Sequence, residues 1–114
     1  MADVVIWHNS KCSKSRATLD LLRERGIEPE IRDYIQDPPS TDEIIDVLQK
    51  LGLPAEQILR NKDAQELGLS EHQGDGAIIA ALAEHPELIQ RPIVIKGDRA
   101  VIGRPPENVL KLIG

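Results

Sequence analysis

The sequence predicts an α/β domain in which a βαβ unit and a ββα unit share one mixed sheet. A helical insertion at about residues 40–86 separates the two units. Three observations carry this reading. A short apolar run, Val4-Val5-Ile6-Trp7, passes directly into helical spacing. A long helical-period stretch lies between the Asp37-Pro38-Pro39 break and the return to β-branched residues. Two strand-like runs, Pro92–Ile95 and Ala100–Ile102, flank a Gly97-Asp98 turn and lead into a closing helix.

Taken in order, Val4 to Trp7 reads as a short buried strand. The helix after it has Ser13 or Ser15 as candidate caps. Arg16, Asp20, Arg23 and Glu24 fall on one side of that helix, while Ala17, Leu19, Leu21 and Leu22 form a wide apolar arc suited to a sheet. Gly26 ends it. Pro29 opens a second strand, about Glu30 to Ile35, whose charged residues suit an edge. Ser40-Thr41-Asp42-Glu43 is a capping box, and Ile44, Ile45, Val47, Leu48 and Leu51 make the stripe of a helix closed by Gly52. Shorter helical pieces follow at Pro54 to Leu59, Asp63 to Leu67 and Asp75 to Glu84, the last ended by His85-Pro86. Gly103-Arg104-Pro105-Pro106 starts the closing helix, with Pro106 in its favoured first turn and Val109, Leu110, Leu112 and Ile113 as its apolar residues. This order, with a βαβ crossover expected to be right-handed, is that of a thioredoxin-like core carrying helices between its halves.

Composition bounds the rest. The 114 residues are expected to form one domain, burying roughly two-thirds of the extended-chain surface. With no phenylalanine, one tryptophan and one tyrosine, the core must be aliphatic. The single cysteine, Cys12, permits no intrachain disulfide, which fits a reducing cytosol. Val4 to Trp7 is too short a run for a signal peptide or membrane span, so a cytoplasmic protein is expected. A net charge of −5 argues against general binding to nucleic acid or membrane surfaces. It leaves room for a local cluster of cations that binds a small anion.

Such a cluster surrounds Cys12, in His8-Asn9-Ser10-Lys11-Cys12-Ser13-Lys14-Ser15-Arg16. A sulfur at the opening of a helix meets backbone N–H groups, and the neighbouring lysines and arginine add positive charge. Both favour thiolate over thiol. Cys12-Ser13-Lys14-Ser15 is a C-x-x-C redox turn with serine in the second place. Serine cannot resolve a mixed disulfide, so any adduct on Cys12 must be cleared by an outside thiol. A phosphatase-type cysteine loop is excluded, because Thr18 stands where such a loop needs arginine. His8 is the candidate imidazolium that would lower the Cys12 pKa. Together His8 and Cys12 supply only two ligands, so no metal site is expected. His72 and His85 read as surface or helix-end residues.

Arg60, Arg91 and Arg104 each lie beside a turn or element boundary. In a thioredoxin-like core the loop before the hairpin faces the helix that carries the cysteine, and a cis-proline there recurs. Pro92 is the candidate, with Arg91 then directed toward Cys12. An arginine suits an oxyanion because its planar fork donates two parallel hydrogen bonds and stays charged.

His8-Asn9-x-x-Cys12-x-x-Ser15-Arg16, Leu59-Arg60, Arg91-Pro92-Ile93-Val94 and Gly103-Arg104-Pro105 together resemble the glutaredoxin-coupled arsenate reductases, over essentially the whole chain. The resemblance implies a thioredoxin-like fold and reduction of arsenate to arsenite with glutathione as co-substrate, glutaredoxin as partner and no tightly bound cofactor. It matches Cys12 to the nucleophile, His8 to the residue lowering its pKa, and Ser15 to a neighbour assisting the thiolate. Arg60, Arg91 and Arg104 match the oxyanion-binding arginines. Ser10-Lys11 and Ser13-Lys14 depart from the better-characterised members, and the sequence is closer to the short chromosomal branch. Two alternatives share the fold. One is a thiol-sensing transcription regulator that binds RNA polymerase, although such regulators often carry a second cysteine and usually lack the residues matching His8 and Arg104. The other is a glutathione-dependent thiol transferase, whose arginines would bind glutathione carboxylates.

Overall fold

The computed structural model describes residues 4–59, 75–90 and 92–113. The expected helical piece at Asp63–Leu67 and the candidate residues Arg60, His72 and Arg91 lie outside them. The chain divides into two compact units, one of residues 1–37 with 91–114 and one of residues 38–90.

The first unit holds the sheet. Strands β1 (Val4–His8), β2 (Glu30–Asp33), β3 (Ile93–Lys96) and β4 (Arg99–Ile102) stand in the order β2-β1-β3-β4. β1 pairs parallel with β2 and antiparallel with β3, and β3 pairs antiparallel with β4. This is the mixed, thioredoxin-like arrangement expected. β1 is flanked on both sides, so Val4, Ile6, Trp7 and His8 are all buried. β2 is an edge strand, with Glu30 and Ile31 exposed. It ends at Asp33 rather than Ile35, because the Asp33 carboxylate accepts the N–H groups of Ile35 (3.1 Å) and Gln36 (3.2 Å) and turns the chain. Gly97, at φ +61°, supplies the two-residue hairpin turn between β3 and β4.

Helix α1 (Ser13–Glu24) lays Leu19 and Leu22 into a core with Val4, Ile6, Val94, Val109 and Leu112. Ile6, Leu22, Val94 and Val109 are fully buried, each contributing about 1.5–3 kcal/mol by leaving water. Two expectations for α1 are corrected. Ala17 is exposed, and the buried face instead includes Ser15 and Thr18. The N-cap is Cys12, not Ser13 or Ser15. The closing segment also differs from a regular helix: a 3₁₀ turn (Pro106–Val109) precedes one α-helical turn, α4 (Leu110–Ile113). Pro105 and Pro106 offer no N–H donors, so the first bond of the turn is that of the Asn108 N–H to the Pro105 carbonyl (3.0 Å).

Gly103 joins α1 to the end of β4. A Cβ on it would lie 2.7 Å from Thr18 Oγ1, 2.9 Å from Pro92 Cγ and 3.1 Å from Thr18 Cγ2. Thr18 and Pro92 are themselves buried and cannot swing aside. Gly103→Ala is therefore expected to lower unfolding free energy by about 1–3 kcal/mol, as over-packed core substitutions do. Urea denaturation checks this, and an unchanged midpoint would show that the joint has slack.

The second unit is the helical insertion. α2 (Thr41–Leu51) begins with the expected capping box, in which the Glu43 N–H donates to Ser40 Oγ (3.2 Å) and the Ser40 N–H to Glu43 Oε1 (3.1 Å). It ends at Gly52, φ +69°. A 3₁₀ turn (Ala55–Ile58), α3 (Asp75–Glu84) and a second 3₁₀ turn (Pro86–Leu88) follow. α2 packs on α3, with Ile44, Val47, Ile58, Ile78, Leu82 and Leu88 buried.

Candidate active site

The end of β1 and the start of α1 bring His8, Asn9, Cys12 and Ser15 into one short turn. The Asn9 carbonyl accepts the Cys12 N–H (2.9 Å), while Asn9 Oδ1 accepts the Lys11 N–H (3.0 Å). These bonds set Cys12 in extended backbone (φ −97°, ψ 122°) at the N-cap, half-buried, with its carbonyl accepting the Arg16 N–H (3.1 Å). A serine or aspartate in this place would bond a first-turn N–H, but the Cys12 side chain makes no capping hydrogen bond.

The first turn of α1 carries no acidic residue, although acids are what a helix N-terminus normally favours. Lys11, Lys14 and Arg16 stand there instead, all exposed. Each cation beside the positive end of the helix dipole costs roughly 0.3–1 kcal/mol, and an anion at the N-terminus reverses that sign. The turn is electrostatically matched to a negative charge.

Ser15, fully buried at the third helical position, faces inward. Its Oγ accepts the Asn9 N–H (3.1 Å) and lies 2.6 Å from His8 Nδ1. The hydroxyl and the ring nitrogen share one hydrogen bond, whose direction follows the imidazole tautomer. The surroundings of His8 disfavour the imidazolium expected from sequence. Burial pushes the His8 pKa below its ordinary value; Asp33 pulls it up, while Arg23 and Arg16 push it down.

A lowered histidine pKa has a definite sign for stability. The unfolded chain binds more protons than the folded one below the ordinary histidine value of 6.5, so the contribution of neutral His8 is complete above that pH. It is lost as pH falls through 6.5 toward the depressed folded value. His8→Asn is expected to flatten the loss of stability between about pH 7 and pH 5, read from urea midpoints across that range. A variant as acid-sensitive as the parent would assign the loss to another group.

Arg104 follows Gly103 directly, and Gly103 packs on Thr18, six residues along from Cys12. Arg104 is exposed, and its bond to Pro105 is cis. The Arg91–Pro92 bond, where a cis-proline was expected, involves Arg91 and so lies outside the described residues, as does Arg60. Pro92 itself is buried, and its carbonyl accepts the Gly103 N–H (2.9 Å). Among the described residues no group of three or more metal-ligating side chains occurs, and no helix is long and apolar enough to cross a membrane.

Sequence reasoning missed Asn9, Thr18, Gly103 and Asn108. An asparagine two residues before a bend is a recognisable turn signal, so Asn9 was findable. Nothing local marks Thr18 and Gly103, whose contact spans 85 residues.

The family model described as "ArsC family" matches residues 7–112. An arsenate reductase of Neisseria meningitidis serogroup A is 46% identical over 113 residues, which is 96% of this chain and 97% of the relative. An arsenate reductase of Haemophilus influenzae is 45% identical, covering 96% of this chain and 98% of the relative. Among solved structures, the arsenate reductase from Vibrio cholerae superposes with a TM-score of 0.86 at 45% identity, covering 95% of each chain.

Proposed function

Because the chain belongs to the ArsC family, we propose that it reduces arsenate to arsenite through a covalent adduct on Cys12, with glutathione as co-substrate and glutaredoxin as partner. The observation that carries this reading is the half-buried, lone cysteine at the N-cap of a helix whose first turn is cationic and free of acids. Ser15, three residues after Cys12 and hydrogen-bonded to His8, assists the thiolate, and His8 supports it through that bond. The Cys12 thiolate then displaces an oxygen of arsenate as hydroxide or water. Arg104, and on the family match Arg60 and Arg91, offset the charge on the remaining oxygens, where fixed donors act most strongly. A glutathione thiol attacks next. Arsenate and two thiols thus become arsenite, one disulfide and water, with arsenic gaining the two electrons that the sulfurs lose. The Cys12–glutathione disulfide has no second cysteine to resolve it, so glutaredoxin and further glutathione restore the thiol, as they can in a cytosolic setting.

The test is NADPH oxidation coupled through glutathione reductase, with glutathione and glutaredoxin present. Arsenate-dependent turnover that requires both is the expected result. Turnover of a glutathionylated peptide without arsenate dependence would instead identify a thiol transferase. No oxyanion-dependent oxidation, together with copurification with RNA polymerase, would identify a regulator.

A further inference from the structure

We propose that Asn108 is a positioning residue for Arg104, fixing the root of that arginine so that its guanidinium is presented in one place. This rests on the reading that Arg104 grips the oxyanion. The Asn108 side-chain amide donates to two carbonyls, those of Ile102 (3.3 Å) and Arg104 (3.1 Å). Carbonyl oxygens only accept, so the group facing them is the Nδ2 amino group and not Oδ1. The Asn108 backbone N–H adds a third bond, to the Pro105 carbonyl (3.0 Å). One residue therefore ties down the chain before, at and after Arg104.

On its other flank the Gly103–Pro105 segment has its own anchor. There the Gly103 N–H donates to the Pro92 carbonyl (2.9 Å), and Gly103 packs on Thr18. Arg104 itself is exposed. A long arginine side chain on a loose root samples a larger volume, and each oxyanion contact then costs more ordering entropy. Asn108 touches no substrate in this scheme. It acts through Arg104 alone.

The experiment is a double-mutant cycle in the arsenate assay with Asn108→Ala, Arg104→Ala and the pair. Asn108→Ala is expected to raise KM for arsenate about 5- to 20-fold with kcat within about 3-fold, and to change kcat/KM less than about 2-fold once Arg104 is absent. The same factor in both backgrounds would overturn the proposal, since Asn108 would then be acting on the fold at large. An Arg104→Ala protein with parental kinetics removes the premise and the proposal together, which separates the two failures. If Asn108→Ala does not fold, Asn108→Ser, which keeps one donor in a smaller side chain, goes through the same cycle under the same criteria.

Discussion

Cys12→Ser is expected to lower arsenate turnover by at least about 10³-fold, because a serine hydroxyl at neutral pH is a far weaker nucleophile than a thiolate. No other cysteine can take over, since the chain has one. The same substitution is expected to leave stability unchanged or to raise it by up to about 1 kcal/mol. Cys12 occupies the N-cap without a capping hydrogen bond, and serine is among the residues that supply one to the first-turn N–H groups. Opposite signs for activity and stability at a single half-buried position would show that the sulfur is held there for chemistry. The coupled assay reads the first effect and urea denaturation the second. Near-parental turnover removes the nucleophile from the scheme. A clear loss of stability would mean that the sulfur contributes to packing.

What could be read from the residues, and what could not, divides by range. The strand before Cys12, the capping box at Ser40 and Glu43, the Gly97-Asp98 turn and the order of elements are all local signals, and each recurs in the structure. The cationic setting of Cys12 is local too. Ser15 and Thr18 go the other way: pattern reading takes Ser15 as a candidate cap and leaves Thr18 off the apolar arc, yet both are fully buried. Their burial depends on partners that sequence spacing does not reveal, His8 on the preceding strand for Ser15 and Gly103 for Thr18. The neutral state of His8 likewise follows from its burial, a tertiary property. Its apolar side chain puts Ala17 in the sheet-facing arc by pattern, but a helix one-sidedly packed on a sheet leaves some small residues in water at little cost.

Arg104→Lys is expected to lower kcat/KM for arsenate about 10- to 100-fold, because the charge survives while two parallel hydrogen bonds collapse to one rotating donor. The substitution isolates geometry from charge. Arg104 is exposed, so the variant should fold like the parent, and surface changes of this kind usually move stability by less than about 0.5 kcal/mol. The backbone beneath it stays in place, since Gly103 still packs on Thr18 and Asn108 still bonds the residue-104 carbonyl. A loss in this range, with unchanged unfolding, therefore reports on the guanidinium fork itself. An Arg104→Ala comparison then sizes the charge: if lysine retains most of the activity that alanine loses, attraction matters more than the paired hydrogen bonds. Equal rates for the lysine variant and the parent would return Arg104 to the status of a solvated surface charge, and the oxyanion would have to be held by the first turn of α1 and by other cations.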